Sequence, residues 1–185
     1  GQDKFPFLIV QLAPFQKIVT QPQDSDWARL REAQLRTSLA VPKTGLAVIT
    51  DWGHETDIHV KQKRPVGERL ALVARSLVYG ERLVHSGPRL TGMKIDGRRA
   101  ILSFDHIASG LSPRRLVLED IAKDGRSGLT GGALHVAHYE NPTVNVPLQG
   151  FAIAGDDRRF VTAQAEIRDD TVIVQSPMVS RPVAV

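Results

Sequence analysis

The run Asp51-Trp52-Gly53-His54-Glu55-Thr56-Asp57-Ile58-His59 gathers three carboxylates and two imidazoles into nine residues. Histidine changes charge near neutral pH, and a carboxylate on one ring nitrogen leaves the other free to move a proton. That is the acid–base half of a Ser-His-Asp arrangement. In extended chain, residues two apart share a side, so Asp57 can flank His59. Asp51 can reach the same ring if the loop folds back. Asp51 and His54 form a competing Asp-x-x-His pair, and the plainest alternative is a set of exposed polar residues capping the next helix. Zinc ligation by His54, His59 and the carboxylates is the other chemistry available, but no His-Glu-x-x-His or comparable spacing is present, so no metal is expected. His135 and His138, three apart, suit one helical face.

A nucleophile is not visible. No Gly-x-Ser-x-Gly elbow occurs, Ser86-Gly87-Pro88 reads as a turn, and Ser103 alternates within a strand-like run. A serine serving this cluster is expected elsewhere. Arg31 and Gln34 are three apart on a predicted helix and share a face, where they can buttress the loop or meet a polar substrate.

The cluster needs a rigid mount. Gly45 to Thr50 reads as a buried strand ending at Asp51, and Phe5 to Leu12 as another, apolar on both faces. Asp24, Ser25 or Asp26 caps a helix running to about Ala40, which Pro42 ends. A second helix is predicted over about Arg64 to Tyr79, with Pro65 in its first turn, Gly80 at C′, and Val66, Leu70, Val73, Ala74 and Leu77 as its buried stripe. Strand, helix, strand, helix is the order of a parallel sheet with crossover helices, where ligands bind at the carboxyl edge. Beyond Pro88 the period becomes two. Asp96-Gly97-Arg98 predicts a hairpin, with further strands at Phe151–Ala154, Phe160–Ile167 and Thr171–Gln175 and a turn at Asp169-Asp170. The stretch from about 112 to 147 is rich in Gly, Arg and Pro and reads as a long insertion or covering loop.

The 185 residues can bury one substantial core or two small ones. The net charge of +4 comes from scattered arginines, and aromatics make up only 5%. Without a basic block or interleaved aromatics, no nucleic-acid partner is expected. Cysteine is absent, which rules out disulfides and thiolate metal sites. No apolar run is long enough to span a bilayer, so no membrane partner is expected.

Several ordered stretches together resemble the C-terminal portion of the sialate O-acetylesterase family, which belongs to the SGNH/GDSL-type hydrolases. They are Phe7-Leu8-Ile9-Val10-Gln11-Leu12-Ala13-Pro14-Phe15, Leu30-Arg31-Glu32-Ala33-Gln34, Thr44 to Asp51, Asp57-Ile58-His59, Val66 to Leu72, Tyr79-Gly80, Ser86-Gly87-Pro88, Gly150 to Gly155 and Pro182 to Val185. The family histidine matches His59, whereas His54 falls where the family tends to carry an acid. The acid that the wider group places three residues before the histidine is replaced by Thr56, which leaves Asp57 and Asp51 as candidates. Val60 stands where proline is frequent, and the 112–147 stretch is longer than usual.

The resemblance implies an α/β fold. Residues 1–85 would be the C-terminal part of a doubly wound parallel sheet carrying the histidine, and 86–185 a β-rich, sandwich-like domain. It implies serine-dependent removal of O-acetyl groups from sugars, with His59 and Asp57 or Asp51 catalytic, and Arg31, Gln34 and Gln11 as supporting or substrate-contacting candidates. No cofactor is implied. The serine and oxyanion donors would come from an N-terminal half, supplied as a separate chain that is this chain's partner beside the O-acetylated sugar. The expected location is periplasmic or secreted. An acetylxylan-type esterase and a non-catalytic carbohydrate-binding or assembly module are the other readings.

Overall fold

The computed structural model describes residues 5–120, 135–140 and 147–185, with backbone alone for 115–120 and 135–140. The described chain divides into two compact units. Unit 1 comprises residues 5–18, 25–86, 116–120 and 135–140, and unit 2 comprises 19–24, 87–115 and 147–185.

Unit 1 contains β1 (Phe7–Val10), α1 (Asp26–Ala40), β2 (Thr44–Ala47) and α2 (Lys63–Leu77). The strands pair in parallel with Phe7 opposite Thr44 and Val10 opposite Ala47. α1 starts where the sequence places it: Ser25 is the cap, and its hydroxyl accepts the Ala28 amide at 3.2 Å. Such a bond satisfies one of the helix's unpaired N–H groups and contributes about 1 kcal/mol. α2 ends earlier than expected, at Leu77 with Val78 as the cap, so Gly80 lies one residue past C′. Of its expected stripe only Val73 is fully buried. Val73 packs where a Cβ on Gly45 would collide with Val73 Cγ1, so the glycine lets helix and strand approach closely.

Both strands are shorter than their apolar runs. Past Val10 the Gln11 amide still donates to the Ala47 carbonyl at 2.9 Å, but the Leu12 amide goes to the Gln34 side chain. The Val48 carbonyl is taken by Arg69 at 2.8 Å rather than by a strand. The burial expected on both faces of β1 is not seen: Phe7 is 62% exposed and Val10 is partly exposed.

In unit 2, β3 (Arg89–Asp96), β4 (Arg99–Asp105), β9 (Gln164–Arg168) and β10 (Thr171–Gln175) form an antiparallel sheet in the order β3-β4-β10-β9. Gly97-Arg98 is the predicted two-residue hairpin turn, with Asp96 opposite Arg99. Alternate residues Ala100 and Leu102 on β4, and Val172 and Val174 on β10, enter one core with Ile153, Ala165 and Val179. β7 (Ala152–Ile153) and β8 (Val161–Thr162) form a short second pair.

β5 (Arg115–Asp120) and β6 (His135–Glu140) also pair. Two strands thus lie within the stretch read as an insertion or loop, the rest of which lies largely outside the described residues. His135 and His138 are on strand backbone, so the helical face suggested for them does not form. The mixed α/β class therefore holds, with one parallel pair and a larger antiparallel sheet. No helix among the described residues is long and apolar enough to cross a membrane.

Candidate active site

The acidic and imidazole cluster occupies the loop between β2 and α2, and it is stitched down before it presents any functional group. The Trp52 amide closes a turn on the Ile49 carbonyl at 3.1 Å. Gly53 then lies directly on Pro14: a Cβ there would sit 2.5 Å from the Pro14 carbonyl oxygen, so only glycine fits this approach. The His54 amide donates to that same carbonyl at 3.2 Å, which makes a parallel bridge with Phe15. The Pro14 segment is itself held to α1, because the Trp27 indole N–H donates to the Ala13 carbonyl at 2.7 Å and its ring contacts Phe15. Glu55 accepts the Ile18 amide at 2.9 Å.

On this base His59 and Asp57 come together. Asp57 Oδ1 accepts both the His59 backbone amide and His59 Nδ1, each at 2.9 Å. Lys61 Nζ holds the other oxygen, Oδ2, at 2.6 Å. The Lys61 ammonium, followed by the two His59 hydrogen bonds, keeps the Asp57 carboxyl well below the usual carboxylate range. An ionised carboxylate only accepts, so Nδ1 carries a proton, and in the neutral ring Nε2 holds the lone pair. That is the tautomer a base in a Ser-His-Asp system requires. The His59 side chain is 81% exposed, and no serine among the described residues bonds to it.

Asp51 does not approach the ring. Both its oxygens are taken by the Arg69 guanidinium in a forked pair, and this carboxylate raises the Arg69 pKa above its ordinary value. Arg69 also donates to the Val48 carbonyl, so the pair pins the first half of α2 to the end of β2. Of the two acids left open by the sequence, Asp57 bonds the His59 ring and Asp51 bonds Arg69. The competing Asp51–His54 pair does not form either: His54 is buried, and its Nδ1 accepts the amides of Thr56 and Asp57.

The remaining candidates lie where β1 meets α1. Gln11 is buried and donates to the Arg31 carbonyl at 3.2 Å, while Gln34 accepts the Leu12 amide at 2.9 Å. Both tie the strand end to the helix. The Arg31 guanidinium is half-buried, desolvation lowers its pKa, and no carboxylate pairs with it among the described residues. Lys61, Arg69 and Pro14 escaped the reading of spacing. The partners of Arg69 and Pro14 lie on other segments, whereas Lys61, four residues after Asp57, left a local trace. Among the described residues no three His, Asp or Glu side chains are arranged to hold a metal ion.

No protein-family model matches this chain, and no curated protein does. Its structure is similar to the crystal structure of a carbohydrate acetylesterase from Xanthomonas citri, with a TM-score of 0.70 and 42% identity. The likeness covers 97% of this chain and 35% of that enzyme, so the chain spans about a third of its relative's length.

Proposed function

We propose that this chain is the histidine- and aspartate-bearing part of a carbohydrate O-acetylesterase of the sialate O-acetylesterase type, with a serine nucleophile and oxyanion donors supplied by a further polypeptide segment. The observation that carries the reading is the His59–Asp57 pair, with its basic Nε2 left open on the loop that follows a parallel strand. The 42% identity to a carbohydrate acetylesterase supplies the substrate class. In this reading the serine attacks the acetyl carbonyl while His59 Nε2 takes its proton, and Asp57 stabilises the imidazolium. Collapse of the tetrahedral adduct expels the sugar oxygen, to which His59 returns the proton. Water then cleaves the acetyl-enzyme, again with His59 as base, and releases acetate.

The need for a partner segment has its own physical support. Parallel strands are ordinarily covered on both faces and flanked by further strands. Here Phe7 lies open on a two-stranded sheet, an apolar surface suited to the rest of an SGNH-type sheet.

The test is His59→Ala in the enzyme assembled with its serine-bearing segment. Hydrolysis of 4-nitrophenyl acetate is expected to fall by about 10³-fold or more. The circular dichroism spectrum should stay unchanged, because the ring is exposed. Turnover close to that of the parent would overturn the proposal.

A further inference from the structure

We propose that His54 is a positioning residue, whose buried imidazole fixes the backbone of Asp57 and thereby the carboxylate that orients His59. This rests on the esterase reading above. The ring is 8% exposed, and its Nδ1 is the convergence point of the loop: it accepts the Thr56 amide at 3.1 Å and the Asp57 amide at 3.0 Å, with Thr56 Oγ1 at 3.3 Å. Amides only donate, so Nδ1 is bare and the proton of the neutral ring lies on Nε2. That Nε2 is buried without a hydrogen-bond partner among the described residues.

A leucine of similar bulk would fill the space and leave no orphaned donor, so packing does not account for an imidazole here. Its acceptor atom does. The support then runs in series: Pro14 holds the His54 amide, His54 holds the Asp57 amide, and Asp57 holds the backbone amide and Nδ1 of His59. His54 touches no reacting atom in this scheme. It acts by keeping Asp57 in register.

Two substitutions separate the acceptor from the bulk. His54→Leu removes the acceptor, whereas His54→Asn returns an acceptor oxygen one bond from Cγ, where Nδ1 stands. In the assembled enzyme, kcat for 4-nitrophenyl acetate should fall on the order of tenfold or more in the leucine variant, as expected for a displaced orienting group. KM should stay within about twofold of the parent value, and the asparagine variant should recover kcat to within about threefold. His59→Ala is assayed alongside. If that variant retains activity, the esterase reading itself fails. If it is inactive while His54→Leu keeps the parent kcat, the positioning role is overturned and the esterase reading stands. Should the leucine variant not fold, long-range ¹H–¹⁵N spectra of the parent decide the matter. A His54 proton on Nε2 with Nδ1 bare supports the assignment, and a protonated Nδ1 overturns it.

Discussion

In unit 2 the inward-facing residues of the central strands meet other residues of unit 2: Ile153, Ala100 and Val174 are inaccessible to solvent and share one core. In unit 1 the wholly apolar strand Phe7–Val10 leaves its first side chain largely in water. The difference follows from topology. Antiparallel strands joined by short turns bring their own neighbours with them, so a local segment can close its core. Parallel strands need crossovers, and a sheet of two has too few neighbours to cover both faces. The acid–base pair is mounted on the open sheet. Unit 2 closes a core on its own residues, whereas the sheet of unit 1 leaves the Phe7 ring in water.

The sharpest way to break this contrast is a matched pair of truncations. Ile153→Ala is expected to destabilise unit 2 by about 2–5 kcal/mol, since it removes a fully buried side chain from a packed core. Phe7→Ala should cost the chain by itself less than about 1 kcal/mol, because most of that ring is already solvated. Urea unfolding measures both, and equal losses would mean that the two sheets are equally closed.

A smaller effect is expected at the tight contact between β2 and α2. Gly45→Ala forces a methyl group against Val73 and should cost about 1–3 kcal/mol by moving α2 off β2. A neutral result would show that helix and strand are as loosely joined as the exposed face suggests.

The smallest effect tests the electrostatics of the loop. Asp57 has a depressed folded pKa, so its ion pairs are intact above the unfolded carboxylate range and are lost only as pH falls through the lower folded value. In the parent, the ¹³C signal of the Asp57 carboxyl should show it still ionised at pH values where an ordinary aspartate is half protonated. Lys61→Met removes the largest contributor and should move that titration to higher pH. An unmoved curve would mean that Lys61 does not hold Oδ2 in solution.

Much of this was legible in the sequence where the interactions are local. Ser25 caps its own helix three residues on, Pro65 sits in the first turn of α2, and the Asp-Gly-Arg step makes the hairpin between β3 and β4. The chemistry of the 51–59 cluster was also visible, because the residue types alone permit proton relay. The Asp57–His59 bond spans two residues, and the same carboxylate oxygen takes the His59 amide, so the pair is made within the loop itself. Less legible were the strand limits, because an apolar residue remains apolar after its last ladder bond, as Val48 and Leu12 do.

What the sequence determined by itself, then, were the helices, the hairpin and the presence of an imidazole beside acids. Each depends on groups a few bonds apart, whose encounter backbone geometry alone ensures. Which acid serves the imidazole was decided by the tertiary structure. Arg69, eighteen residues along the chain, takes both oxygens of Asp51, and Pro14, forty residues back, draws His54 inward as a support. Spacing cannot encode those choices, because charges and carbonyls distant in sequence compete for the same partners only once packing brings them within hydrogen-bond reach.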